Sequence, residues 1–296
     1  MTDTTVAHAE DSIAKGSKSF AAAARIFDRQ IRDDCVMLYA WCRHCDDVID
    51  GQDHGMTQSP DFRPGQMQRL ATLRAQTAAA LAGEPQTDPV FESLRRVAQR
   101  NAIPALYPNQ LLDGFAMDVA EREYRTTKDL LDYCYHVAGV VGVMMAQIMG
   151  ARDPEVLDRA SDLGIGFQLT NIARDVMEDA AAGRSYLPQD LLGDRSRDDL
   201  YRVALHLLDL AEAYYDSALT GMAALPPRSA LAIAAARRVY RAIGVKLRKG
   251  GPAAWDQRVS TTKAEKAALF AAASLDVARS RFAKPRPRVG LYQRPS

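Results

Sequence analysis

Apolar and polar positions along the chain recur with the period of a helix, and no run of useful length alternates as a half-buried strand would. The most informative stretch is 163–188, LGIGFQLTNIARDVMEDAAAGRSYLP. Apart from the Gly164 and Gly166 pair it predicts helix as far as Ala182, and at about 100° per residue Gln168, Asn171, Asp175 and Asp179 fall within about 80° of one another. Leu169, Ile172 and Val176 cover much of the other side, so this helix is expected to be nearly buried, with two carboxylates facing an interior. A second helix, starting at Asp33 and ending after Asp50 where Gly51 comes next, repeats the arrangement. There Tyr39, Arg43, Asp46 and Asp50 share a sector of roughly 60°, Asp47 points slightly aside, and Val36, Met37, Leu38, Ala40, Trp41 and Val48 make other faces apolar.

The same period predicts helices over 5–24 (one, or two broken near Gly16), 65–81, 89–101, 108–124, 129–150, 196–221, 228–249 and 261–282, punctuated by Pro226-Pro227 and Gly250-Gly251-Pro252. Ser17 is a plausible helix cap with Lys18 beside it, a place where free amides and a cation would receive a phosphate. Asp118 and Arg122 read as an i, i+4 ion pair. Small residues Ala138, Gly139 and Gly142 permit close approach of another helix or of a substrate chain. The expectation is an all-α fold, one domain of about ten helices around a central cavity spanning 1–283, followed by a basic, flexible tail over 284–296.

Buried carboxylates need a cation, and the economical choices are a divalent metal or arginine. Arg174 and Arg184 are the only guanidinium groups near in sequence, and Glu178 adds negative charge, so a hard metal such as Mg²⁺ is favoured. A lone Asp-x-x-x-Asp is weak, since a solvated or salt-bridged helix face explains it as well. The second aspartate pair far upstream changes this. Two such helices could face each other across a cavity and hold metal ions between them, with Arg43 and Arg174 placed to take phosphate charge.

Composition adds mostly exclusions. The 296 residues are 47% hydrophobic, enough for a sizeable core, and the net charge of +1 implies no nucleic-acid partner. Basic residues do gather late, at Arg237, Arg238, Arg241, Lys246, Arg248, Lys249 and the RFAKPRPR stretch, which suits transient contact with a membrane surface. The N-terminus has no secretory pattern, and the apolar run 137–150 is too short to span a bilayer, so a cytoplasmic protein is expected, peripheral at most to the inner face of the membrane. Cys35, Cys42 and Cys45 flank His44, but without a second ligand pair or a βαβ pattern they read as reduced, structural residues.

The stretch LGxxxQxxNIxRDxxEDxxxGRxYLP, preceded by YCYHVAGVVG at 133–142 and by Ser17-Lys18-Ser19-Phe20 and DDVID near the start, resembles the squalene/phytoene synthase family over most of the chain, from about Ser12 to Arg281. Compact length makes it most similar to bacterial members that use a twenty-carbon substrate. The resemblance implies an isoprenoid-synthase-type helical bundle and a prenyltransferase of carotenoid biosynthesis. Its reaction would be head-to-head condensation of two geranylgeranyl diphosphates through a cyclopropyl diphosphate, with Mg²⁺ (Mn²⁺ substituting), no nicotinamide cofactor, and a downstream carotenoid enzyme as possible partner. Carried over, Asp46, Asp50, Asp175 and Asp179 bind metal together with Asn171. Ser17, Lys18, Ser19, Arg43, Asn171 and Arg174 handle diphosphate, and Tyr39, Tyr133, Gln168 and Tyr240 border the reacting carbons, with Arg258 and Asp47 as further candidates. The rival readings are a fifteen-carbon squalene or dehydrosqualene synthase and a non-catalytic scaffold. LGIGFQL imitates part of a dinucleotide fingerprint but lacks its third glycine and lies in helical context. The face of Phe20 and Ala24 is expected to line the tunnel for a prenyl tail, with Ala24 leaving it open.

Overall fold

The computed structural model describes residues 4–16, 23–52, 63–282 and 287–295. Ser17, Lys18, Ser19 and Phe20 lie outside the described residues, and so do the expectations placed on them. Eleven α-helices and no strand occur among the described residues: α1 Thr4–Gly16, α2 Arg29–Asp50, α3 Gln66–Leu81, α4 Pro89–Asn101, α5 Leu106–Val119, α6 Thr127–Cys134, α7 Val140–Ile148, α8 Pro154–Ala181, α9 Arg197–Gly221, α10 Pro227–Gly250 and α11 Lys263–Phe282.

Caps explain several of these boundaries. The Asp88 carboxylate accepts the Val90 N–H at 2.8 Å and Pro89 opens α4; Asp153 and Pro154 repeat the device at α8. Thr126 and Asp129 cap α6 reciprocally. Gly51, in the left-handed conformation at φ 61°, ends α2 after Asp50.

Three of the departures from the sequence reading have a clear local cause or consequence. Helix α2 begins at Arg29 rather than Asp33, because the Arg32 N–H bonds the Asp28 carbonyl at 2.8 Å and the polar residues 29–32 stay inside the helix. Helix α5 stops at Val119, and Glu121 takes φ 47°, so Arg122 leaves the helix and the proposed Asp118–Arg122 pair does not form. Arg122 bonds Asp132 instead, at 2.9 Å. The stretch 129–150 is also no continuous α-helix: a π-helical segment, Tyr135–Gly139, separates α6 from α7.

That segment packs on α8, which runs straight through Gly164 and Gly166. A Cβ on Gly164 would stand 2.2 Å from the Ala138 carbonyl oxygen, and one on Gly142 would stand 2.3 Å from that of Ala160. The two backbones therefore touch where the small residues permit it. Helix α8 also packs along α9 and α10 and is the central post of the fold. Around it lie fully buried Trp41, Tyr135, Tyr214, Tyr215 and Phe91.

The basic C-terminal region is spoken for. Arg238 holds Asp276 through two bonds of 2.7 Å, Arg241 pairs with Glu212, Lys246 with Glu265 and Arg248 with Asp209, so these cations latch α9, α10 and α11 together rather than presenting an open basic face. Residues 287–295 are a docked strap, not a flexible tail. Arg288 bonds Asp162 at 2.8 Å and Asp158 at 3.1 Å, Arg294 bonds Asp158 and the Tyr107 hydroxyl, and Tyr292 stacks on Tyr135 and donates to Asp132.

Candidate active site

Helix α8 lines a cavity of about 1080 Å³ on every turn, and its character changes along the way. Toward its N-terminus the lining residues, among them Val156, Ala160, Leu163 and Phe167, are apolar apart from Arg159. Toward its C-terminus they become Gln168, Asn171, Arg174, Asp175 and Asp179. A helix whose lining face passes from apolar to acidic builds a compartment with a charged head and a greasy body.

Helix α2 supplies the facing acidic wall with Tyr39, Arg43, Asp46 and Asp50. The two aspartate pairs anticipated from the sequence thus meet across one cavity, and Tyr133, Gln168, Tyr240 and Arg258 border it too. Asp47 lies aside, holding Arg43 at 3.0 Å. Ala24 does not line the cavity: it is buried, and Ala23 and Ile26 of the same turn form the wall there. Cys42 borders the cavity, while Cys35, Cys45 and Cys134 are buried; all four are free. Burial pushes the Cys45 thiol well up, as expected of inert structural cysteines.

Guanidinium groups answer most of the acid. Arg43 reaches Asp46 at 3.1 Å, Arg184 reaches Asp50 at 2.7 Å, and Arg174 grips its neighbour Asp175 at 2.7 Å. Arg258, at the rim, bonds Glu178 at 2.8 Å and approaches Asp175 at 3.5 Å. The arginines are nevertheless outmatched by desolvation at two of the aspartates. Burial, reinforced by the Asp50 and Asp47 charges, pushes Asp46 up to about 7 despite Arg43. It does so although 38% of the side chain is open, because that opening faces the cavity. Asp179 also rises to about 7, through burial and then the charge of Asp175. Each carboxylate of this kind binds a proton, or another cation, more readily than an exposed one.

An observation independent of charge points the same way. The Asn171 side chain lies beside the Tyr240 hydroxyl, and its carbonyl oxygen is buried without a hydrogen-bond partner. A buried acceptor without a donor is costly unless a ligand completes it. The donor set, carboxylates plus an amide oxygen, is all oxygen and suits a hard divalent cation. Among the described residues no three acidic, cysteine or histidine side chains converge on one point. An ion here would therefore draw further ligands from water and substrate oxygens, as Mg²⁺ commonly does.

Sequence reasoning missed Asp118 and underused Arg184 and Tyr186. Asp118 borders the cavity and accepts bonds from the Tyr133 hydroxyl at 3.2 Å and the Tyr186 hydroxyl at 3.3 Å. The two tyrosine rings stack at 5.1 Å. Burial, with the Asp50 and Asp46 charges, raises Asp118 to about 7 although Arg184 opposes the shift. Its signal in the sequence was a carboxylate on an apolar helix, obscured by an arginine four residues on. Opposite, Phe167 and Tyr240 stack at 4.1 Å and form an aromatic wall between head and body.

The chain belongs to the squalene/phytoene synthase family, whose sequence model matches residues 13–265. Its similarity to individual relatives is extensive. It is 55% identical over 294 residues to a 15-cis-phytoene synthase of Paracoccus sp. (strain N81106 / MBIC 01143), covering 96% of each chain. It is 50% identical to a 15-cis-phytoene synthase of Pantoea ananas, covering 97% of each. Among solved structures, a dehydrosqualene synthase in complex with ligand superposes with a TM-score of 0.82 at 26% identity, covering 93% of this chain and 97% of that one.

Proposed function

We propose that the chain is a phytoene synthase, condensing two geranylgeranyl diphosphates head to head through a cyclopropyl diphosphate and releasing both diphosphates. The observation that carries this reading is the polarity gradient along α8: one cavity with two facing aspartate pairs and arginines at one end and a long apolar body at the other. Similarity to named phytoene synthases at 50–55% identity over nearly the whole chain favours the twenty-carbon substrate.

In this reading Asp46, Asp50, Asp175, Asp179 and the Asn171 carbonyl oxygen hold Mg²⁺, for which Mn²⁺ substitutes. Bound there, the metal supplies positive charge that stabilises departing diphosphate. Arg43, Arg174 and Arg258 bind diphosphate oxygens, exchanging carboxylate partners for substrate. Tyr39, Tyr133, Gln168 and Tyr240 border the reacting carbons, where ring faces favour the allylic cation, and Phe167 helps exclude water. Carbon–carbon bond formation and the later rearrangement each end in loss of a proton, and departed diphosphate is a sufficient acceptor. Incubation with Mg²⁺ and the twenty-carbon diphosphate, without nicotinamide, is expected to give a forty-carbon triene-centred hydrocarbon and two diphosphates. Turnover restricted to the fifteen-carbon substrate would overturn the assignment.

Substrate and product are lipids, and no helix of the described residues is long and apolar enough to cross a membrane. We infer transient contact with a membrane surface through α11, where Phe270 borders the cavity and Leu275 and Phe282 stand exposed. Liposome flotation of Leu275→Asp/Phe282→Asp tests it: undiminished binding would move the contact elsewhere.

A further inference from the structure

Arg159 breaks the gradient. It lies sixteen residues before Asp175 on α8, about 24 Å from the acidic end at the helical rise, yet it borders the apolar part of the cavity. The side chain is almost completely enclosed, at 7% exposure. Its guanidinium is taken up by α9, where Nη1 donates to the Ser217 carbonyl and hydroxyl oxygens at 3.3 Å each. The methylene stem lies flat across Gly221, the last residue of α9. A Cβ on Gly221 would come within 2.8 Å of the Arg159 Cβ and 3.2 Å of its Cδ. Gly221, Met222 and Leu225 line the cavity as well.

The anchoring continues outward. The Ser217 hydroxyl donates to Asp162 at 2.5 Å, and Asp162, with no solvent exposure, receives two bonds of 2.8 Å from Arg288 of the C-terminal strap. A chain of polar contacts thus runs from the docked C-terminus to a side chain that borders the apolar part of the cavity.

We propose that the Arg159 stem, seated on Gly221, is the floor of the tail compartment and sets the longest prenyl chain the site admits, with Ser217, Asp162 and Arg288 as positioning residues. The inference rests on the proposed function. A tail of fitting length ends against methylenes, an apolar contact with no polar penalty. A tail one isoprene unit longer must push the guanidinium off its acceptors and leave buried polar groups unmatched.

The test is kcat/KM for fifteen-, twenty- and twenty-five-carbon diphosphates, followed by diphosphate release. In Arg159→Ala the ratio of twenty-five- to twenty-carbon activity should rise about tenfold or more. Gly221→Ala, whose methyl drives the stem toward the cavity, should lower the ratio of twenty- to fifteen-carbon activity by a similar factor. Ser217→Ala, which loosens the anchor without itself touching substrate, should shift the twenty-five- to twenty-carbon ratio in the same direction as Arg159→Ala. If Arg159→Ala does not fold, Arg159→Leu, shorter and still apolar, replaces it with the same expectation. Ratios within twofold of wild type in the folded variants would place the floor elsewhere. A wild-type protein inactive on all three diphosphates would instead strike the proposed function.

Discussion

Two tyrosine hydroxyls converge on Asp118, and that single carboxyl carries a measurable consequence. Its folded-state value is raised to about 7, mainly by burial, so between the ordinary carboxyl range and pH 7 the folded protein keeps a proton that the unfolded chain has released. The folded state binds more protons there, and stability falls as pH rises through that window; below it both states are protonated and above it both are ionised. Asp118→Asn removes this term while leaving an oxygen for Tyr133 and Tyr186. Relative to wild type in chelator, the variant should gain stability by roughly a few kcal/mol more at pH 8 than at pH 4.5. Urea denaturation at the two pH values checks it, and an equal difference at both would show that Asp118 is not the group responsible. Asp175 behaves differently. Asp175→Asn removes one negative charge from the acidic head and releases Arg174, so turnover should fall by about two orders of magnitude or more with circular dichroism unchanged. Chelation should have the same effect and added Mg²⁺ should reverse it; near-normal turnover in the folded variant would refute the metal assignment.

At the scale of elements, what periodicity could reveal depended on whether a residue's role is local. The stripe Gln168, Asn171, Asp175 and Asp179 comes from helical spacing alone, and so do the limits of α4 and the end of α2, where proline, a capping aspartate and Gly51 act on their own backbone. The π segment Tyr135–Gly139 and the unbroken run of α8 through Gly164 depend on each other and on no local signal. Gly164 looked like a helix interruption, yet it is where two backbones touch. Alanine in a helix interior is favoured over glycine by roughly 1 kcal/mol. Against this, the added methyl would meet only backbone atoms, the Ala138 oxygen at 2.2 Å and the Gly139 Cα at 2.8 Å, and neither can rotate away. The clash should win: overpacking against rigid backbone, at the upper end of about 1–3 kcal/mol, exceeds the propensity gain and leaves Gly164→Ala destabilised by about 1–2 kcal/mol. Thermal unfolding decides it: a variant as stable as wild type would mean that the π segment shifts freely.

Across the whole molecule, the least legible part was the C-terminus, because a basic stretch rich in proline reads the same whether it waves in solvent or closes a fold. Its partners, Asp158 and Asp162, lie more than a hundred residues away on α8, and in sequence they are ordinary polar positions of a helix. The structure sets a fully buried Asp162 and a partly buried Asp158 under the strap, whose arginines pair with both. Asp162 is fully enclosed and depends on Arg288 for two of its bonds, whereas Asp158 is partly exposed and is held by both Arg288 and Arg294. Removing one partner of a buried pair strands a charge, typically at about 3–5 kcal/mol, while replacing both with apolar groups can cost far less. Arg288→Met should therefore destabilise by roughly that amount, Arg294→Met by clearly less, and Arg288→Met/Asp162→Leu should recover part of the loss. Urea midpoints of the three variants rank them. If Arg288→Met costs no more than Arg294→Met, the strap is a surface ornament and its removal would be a clean way to test basic charge at a membrane. If the predicted order holds, truncation after Phe282 weakens the fold itself, and lost liposome binding in such a truncation would report unfolding before it reported electrostatics.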